Sequence, residues 1–302
     1  MIELTETNSS EIAAAFVRAR IGAGSPAMGM VMTLIIVVDE SGAHDAMEVA
    51  RKASREHPAR VLGVILREAR GEAVINAQVG IGESWSGETA LIRLRGEVVK
   101  HPESVVLPLL LPDSPVAIWW PKDPPEDPAA DPLGALAQRR ITDAAAVTKG
   151  KTKAMHTLCG NYAKGNTDLA WTRITPWRAL LAAALDQQPL KVRRASVSAE
   201  RISPSADLLR AWLNDRLHVP VDRIASKGPG ITDVVLDTKE GPIEISRFDG
   251  KLATFRSPGR PDRPVALKRR ELPDLLAEEL RRLDEDDVFR ATIKRLMKLD
   301  GV

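Results

Sequence analysis

Apolar residues recur along this chain in two periods, and the switches between them mark its elements. Near the amino terminus Ile12, Ala15, Phe16 and Ala19 fall on one helical face, with Asn8 and Glu11 spaced as in a capping box. After a glycine-rich loop, GAGSPAMG, the run TLIIVVD (33–39) is apolar throughout and predicts a strand buried on both faces. A helix over 43–57 and a strand over 60–68 follow. Two stretches, AVINAQVGIG and TALIRLRGEVV, then alternate apolar and polar residues, as strands with one wetter face do. Strands are predicted again over 115–120 and 139–145. The proline- and acid-rich segment between Trp120 and Leu133 reads as a surface loop, and 146–166 as a second exposed, mobile segment. A helix starts at Thr175, with threonine as N-cap, Pro176 at the first helical position, and Trp177, Leu180, Leu181, Ala184 and Leu185 on one face.

The pattern changes after DQQP (186–189), which is read as a domain boundary. KVRRASVSAE predicts a strand, and Ser203-Pro204 opens a helix carrying Leu208, Leu209, Trp212 and Leu213. Three or four antiparallel strands follow, ITDVVLDT, GPIEISRFD, KLATFRSP and PVALKRR, joined by acidic and glycine-bearing turns. Two amphipathic helices close the chain, one with Leu272, Leu275, Leu276 and Leu280, the other with Phe289, Ile293, Leu296 and Met297. The expected fold class is α/β: a mixed-sheet α/β domain over 1–188, then a smaller α+β domain over 189–302 with an antiparallel meander and C-terminal helices.

Composition narrows the function classes. With 302 residues, 44% apolar and 28% charged, the chain can build real cores. A net charge of +2 gives no bias toward nucleic acid or acidic membranes. The amino terminus does not read as a secretory signal, and MGMVMTLIIVVDE is too short to span a bilayer, so a cytoplasmic location is expected. The single cysteine, Cys159, leaves no internal disulfide and suits a reducing compartment.

Candidate chemistry is sparse. The G-x-G of Gly22 and Gly24 comes after a helix and before a strand, the reverse of a dinucleotide fingerprint. Gly150-Lys151-Thr152 lacks a glycine five positions earlier and an apolar strand leading into it. His156 and Cys159 share helical spacing without a second pair to complete a metal site, and His44, His57, His101 and His218 stand alone. No G-x-S-x-G occurs. The run DEDD (284–287) reads as a solvated joint capping the next helix, and the basic patches KVRR and LKRRE as solvated faces. No catalytic residue, metal or cofactor is assigned, and no nucleic-acid or membrane partner.

The tryptophans remain. In an extended LPDSPVAIWWP, Trp119 and Trp120 point to opposite faces of the sheet. TDLAWTRITPWRALLAAALD places Trp171, Arg173, Trp177 and Arg178 within eight positions, residue types enriched at interface hot spots. Trp177 shares the apolar face of its helix and reads as core. For Trp120 and Trp171, periodicity leaves core and docking surface both open.

These segments, together with SPSADLLRAWLNDRL and GPIEISRFDGKLATF…RPDRPVALKRRELPDLLAEELRRLDEDDVF, resemble the OpcA family of glucose-6-phosphate dehydrogenase assembly proteins over nearly the whole chain. The resemblance implies a non-enzymatic partner that promotes the active oligomer of that dehydrogenase, at the entry of the oxidative pentose phosphate pathway and its NADPH supply. It makes Trp119, Trp120, Trp171, Arg173, Trp177 and Arg178 the candidate partner-binding residues. The segment 148–166 departs from the family, and a lone cysteine rules out an internal thiol switch. The rival expectation is a phosphosugar-binding sensor or enzyme whose arginines clamp a phosphate in the α/β domain.

Overall fold

The computed structural model describes residues 1–23, 29–81, 87–247 and 249–302. Gly24 and most of the glycine-rich loop lie outside the described residues. Two compact units emerge, each assembled from separated stretches of chain. The first takes Met1–Asp143, Ala163–Thr167 and Leu272–Glu285; the second takes Ala144–Tyr162, Asp168–Glu271 and Asp286–Val302.

The first unit is built on an eight-stranded sheet. Its strands are β1 (Ile2–Leu4), β2 (Met32–Val37), β3 (Ala59–Leu66), β4 (Val74–Ile81), β5 (Glu88–Arg95), β6 (Val116–Trp119), β7 (Arg139–Thr142) and β8 (Asn166–Asp168). They run in the order β1-β4-β5-β3-β2-β6-β7-β8. The centre is parallel, β5 with β3, β3 with β2, β2 with β6 and β6 with β7, while β1–β4–β5 is antiparallel. This mixed pairing explains the two sequence textures. The central strand β2 is buried almost throughout, whereas β5 alternates.

Helix α1 (Ser9–Ala23) lays Ile12, Ala15 and Phe16 into the apolar cluster of β3, β4, β5 and Ile118. Its start follows the expected box: the Asn8 side chain accepts from the Glu11 amide at 3.0 Å. Arg20 of α1 and Arg60 of β3 both reach the buried Glu88 carboxylate at 2.5 Å. That carboxylate therefore fastens α1 to the sheet. Helix α2 (Ala43–Ala53) follows β2 and buries only alanines, Ala43, Ala46, Ala50 and Ala53. A short helix, α3 (Pro102–Val106), leads toward β6. Beside β7, Gly165 sits at φ +92°, where an added Cβ would lie 2.1 Å from the Gln138 carbonyl, so only glycine fits.

The second unit holds α4 (Lys151–Gly160), α5 (Leu169–Thr172), α6 (Thr175–Gln187), α7 (Pro204–Leu217) and α9 (Asp287–Asp300). The intervening α8 (Leu272–Arg281) belongs to the first unit. The second sheet contains β9 (Val192–Ala199), β10 (Val221–Ala225), β11 (Ile231–Thr238), β12 (Pro242–Ser246), β13 (Leu252–Arg256) and β14 (Arg263–Ala266), in the order β10-β9-β11-β12-β13-β14. From β9 through β11 to β14 the pairing is the antiparallel meander expected. β10 was not anticipated. It pairs parallel to β9 after the α7 crossover, and its half-exposed residues give little periodic signal. Ala195, Val197, Val234, Leu236, Ile243 and Ile245 form the sheet's share of the core, joined by Trp177, Leu181, Leu208, Leu209 and Ile293.

Three expectations are corrected. The segment 146–166 is not a loop throughout, because α4 spans its middle and buries Met155 and Cys159. Two apolar anchors between glycines were too weak a pattern to show it. The cap expected at Thr175 moves one residue earlier, to Ile174, with no side-chain cap bond, so Thr175 is the first helical residue and Pro176 the second. Gly150 of Gly150-Lys151-Thr152 serves as the left-handed N-cap of α4. The boundary read at 186–189 falls between α6 and β9, inside the second unit. There Trp177 and Leu181 of α6 share one core with β9.

One buried acid gives a pH prediction. Asp233 of β11 has a carboxylate oxygen buried without a partner, and burial, reinforced by the neighbouring Glu244, raises its pKa to about 6. The folded protein thus holds this proton more tightly than the unfolded chain. Its stabilising effect is complete in acid and is lost as pH rises through about 6. Asp233→Asn should raise the melting temperature at pH 7.5 by a few degrees, about 1–2 kcal/mol, and change it little at pH 4. Equal melting shifts at both pH values would refute this assignment.

Candidate functional site

The first unit carries a cleft at the carboxyl ends of β2, β3 and β6. β3 lies on one side of β2 and β6 on the other, so the order in which strands are added to the parallel sheet reverses there. Open α/β sheets hold ligands at such switch points, because the connecting loops part and leave a crevice. The cleft measures about 440 Å³. Val37, Val38, Val49, Leu66 and Leu272 supply apolar walls, and Asp39, Asp45, Lys122 and Asp123 the polar ones.

Trp119 and Trp120 also line it. As the extended backbone requires, they belong to different faces: Trp120 joins the Ile118–Leu133–Ala137 cluster, which Trp119 does not. Both are buried, at 0% and 3% exposure. Trp119 pairs with Ile36 and Ile141 in the neighbouring strands, and its indole nitrogen has no hydrogen-bond partner. Trp120 supports the loop that follows. An added Cβ at Gly134 would approach its ring at 3.2 Å and the Pro128 carbonyl at 1.9 Å. The loop's own acids order it: Asp127 accepts from the amides of Ala129 and Ala130, and Asp131 from those of Leu133 and Gly134.

A turn closed by Asp39 leads into α2. Asp39 accepts from the Gly42 amide at 2.6 Å and from the Ser41 hydroxyl at 2.9 Å, and these bonds hold its carboxyl below the usual range. Asp39 therefore sets a carboxylate beside the start of α2, where its charge opposes a phosphate. A second depression, about 460 Å³, is lined by Arg67, Arg93 and Arg95 with Thr5, Glu6, Val74 and Asn76. Arg67 and Arg93 both bind Glu40, at 2.6 and 2.9 Å, and hold it at about 2. A phosphate entering there has to compete with that carboxylate.

In the second unit the remaining candidates form one group. Asp168 caps α5 through the Ala170 amide at 2.8 Å. Trp171 and Trp177 are each 2% exposed. The Trp171 indole donates to Asp286 at 2.8 Å and lies 5.5 Å from the Phe289 ring. Arg178 covers it, its guanidinium carbon 3.6 Å from the ring centroid, and also donates to Thr175. Trp177 has the buried Arg247 5.0 Å from its centroid. Arg247 donates to the carbonyls of Leu267 and Ile231, and burial lowers it to about 10, so it stays charged at neutral pH. Arg173 and Arg178 are half-buried. Sequence reasoning did not single out Arg247, Arg270 or Asp286 as companions of the tryptophans. Arg270 donates to the Thr172 carbonyl at 2.7 Å, and Asp286, from the acidic run, caps α9 through Phe289.

The other chemical candidates have structural roles. His156 bonds Asp300 at 3.0 Å, and Arg210 shares that carboxylate. Cys159 is buried against Met155, and burial pushes its thiol well above the ordinary range, which leaves it an inert thiol near neutral pH. Among the described residues, no group of three His, Cys, Asp or Glu side chains could hold a metal, and no helix is long and apolar enough to cross a membrane.

Two family models match the chain. One, the glucose-6-phosphate dehydrogenase subunit N-terminal domain, covers residues 50–159; the other, the C-terminal domain of the same subunit, covers 164–293. No curated relative matches. Among solved structures, an oxidoreductase from Sinorhizobium meliloti is 8% identical, with TM-score 0.42 over 90% of this chain and 89% of that one. An inositol dehydrogenase homolog from Azotobacter vinelandii, complexed with NADH and myo-inositol, is 8% identical, with TM-score 0.40 over 92% and 89%. At these scores the likeness carries no inference about activity.

Proposed function

Because the chain belongs to the OpcA family of glucose-6-phosphate dehydrogenase assembly proteins, we propose that it is a non-enzymatic cytoplasmic partner that binds that dehydrogenase and favours its active oligomer. The observation that carries this reading is the ordered match of both subunit domains along the chain. A partner shifts another protein's state only by binding one form better than the other. A hundredfold preference for the active form, about 2.7 kcal/mol, brings a population that is about 1% active to about half active.

The docking surface in this proposal has two parts. Arg178 lays its guanidinium on the buried Trp171, and the half-buried Arg173 lies in the same α5–α6 segment. Trp119 and Trp120 anchor the proline-stiffened acidic loop that begins at Pro121. A buried tryptophan carrying a half-buried arginine is the kind of rigid support that makes a hot spot. Replacing Arg173 and Arg178 together by alanine should leave the fold intact and weaken dehydrogenase binding at least about tenfold. Unchanged affinity in a titration would remove both from the interface.

The role itself is tested by assaying the dehydrogenase from the same cell with and without this chain, while following its oligomer size. A rise in activity or a shift toward a larger assembly is expected. No change in either would overturn the proposal.

A further inference from the structure

We propose that the depression lined by Arg67, Arg93 and Arg95 binds a small hydroxylated phosphate monoester through its phosphate. This goes beyond the dehydrogenase-partner reading and does not depend on it.

Strand register gathers the three arginines. In the β4–β5 pair Asn76 stands opposite Arg93. Ala77, Ile92 and Leu94 turn to the other face, into the apolar cluster that includes α1. At the end of β3, Leu66 pairs with Leu94 and the Arg67 amide donates to the Leu94 carbonyl at 2.9 Å, so Arg67 comes next to Arg95. A Cβ at Gly63 would meet the Leu91 side chain. Four residues further along each strand, alternation puts Arg67 and Arg95 on that same face.

Like charges on adjacent strands repel, and one carboxylate answers them only in part. Glu40 takes Arg67 at 2.6 Å and Arg93 at 2.9 Å, and Gln78 accepts from Arg93 at 3.2 Å. Arg67 uses a single nitrogen on Glu40. Among the described residues, the exposed Arg95 side chain has no hydrogen bond or ion pair. Asn76 accepts from the Glu6 amide through Oδ1 at 2.9 Å, which leaves its NH2 group as a donor. Arg67, Arg95 and Asn76 thus offer unused N–H groups in one depression, and guanidinium groups match phosphate oxygens in paired, charge-assisted bonds. Three guanidinium groups against two carboxylates, Glu6 and Glu40, leave one positive charge in excess even with Glu40 in place.

The rest of the lining selects the ester. The volume, about 460 Å³, lies in the roughly 300–1,000 Å³ span of small-molecule sites and exceeds what a bare phosphate fills. The Thr5 hydroxyl and the Glu6 carboxylate suit ligand hydroxyl groups. No aromatic side chain among the described residues lines the depression, so it gives a nucleotide base nothing to stack on.

Glycerol 3-phosphate is the probe, with inorganic phosphate and glycerol as its two halves, titrated calorimetrically at low salt into the full chain without any dehydrogenase. Saturable one-to-one binding of the ester is expected, with weaker binding of inorganic phosphate and none of glycerol. The ester should also raise the melting temperature, because only the folded form binds. Arg95→Gln changes an exposed side chain, so it should keep the fold and lose at least about tenfold in affinity. Glu40→Gln should tighten the ester several-fold, because it removes the carboxylate that competes for Arg67. An ion pair with a structural role alone would give no such gain. The proposal is overturned by an absence of saturable ester binding at millimolar concentration, or by inorganic phosphate binding as tightly as the ester. A folded Arg95→Gln that binds as the parent does, or a Glu40→Gln that binds no tighter, would overturn it equally.

Discussion

Glu279→Ala should destabilise the first unit by about 3–5 kcal/mol, the cost of leaving a buried charge unpaired. Arg139 of β7 and Glu279 of α8 meet at 2.5 Å, with side chains only 5% and 6% exposed. Arg139 also donates to the Asp284 carbonyl at 3.1 Å, so one guanidinium holds both the last turn of α8 and the segment beyond it. A second ion pair of α8, Arg281 to Glu56 just beyond α2 at 2.6 Å, is 56% exposed on both sides and contributes little. Removing the buried carboxylate leaves Arg139 desolvated and unopposed. The expected result is a large drop in the denaturation midpoint at an unchanged slope. Pairing Arg139→Met with Glu279→Leu should recover much of the loss, because it removes both charges. A single-variant loss below about 1 kcal/mol would show that the pair is solvated in solution.

Trp171→Ala is the second large effect, about 3–5 kcal/mol of the second unit's stability. The side chain fills core space against Phe289, satisfies Asp286, and carries Arg178 on its face. Alanine creates a cavity and frees three neighbours at once. Trp171→Phe keeps most of the ring contact and loses the indole N–H, so a smaller cost of about 1–3 kcal/mol is expected. These two variants separate fold from docking. If Trp171 acts as the floor under Arg178, Trp171→Phe retains most dehydrogenase affinity, while the Arg173 and Arg178 alanine variant loses it on an intact fold. A Trp171→Ala protein as stable as the parent would mean that the indole is not part of the core.

Local features of the fold were legible in the sequence where their signal was local. The Asn8–Glu11 box, the apolar run of β2, the alternation of β4 and β5, and the two C-terminal helices each rest on spacing within a turn or two of the chain. The acidic run at 284–287 was readable as a cap for the same reason, and Asp286 accepts from Phe289. What failed to show was sparse or distant. α4 fully buries only Met155 and Cys159, and β10 finds its partner only after α7 has brought it beside β9.

The candidate site divides in the same way. Alternation alone required Trp119 and Trp120 to face opposite ways, and the resemblance to the assembly family rested on motifs present in the chain. Strand order decided the rest. A cleft exists at the end of β6 because β6 lies beside β2, on the side away from β3, and this pairing joins residues some eighty positions apart. The return of α8 to the first unit, past a whole second sheet, likewise depends on a buried ion pair between Arg139 and Glu279. The sequence by itself determined the elements, their buried faces and the family, since periodicity and capping act over a few residues. Only the tertiary structure decided which faces meet, because long-range pairing follows from burial of the whole core and leaves no short-range spacing to read.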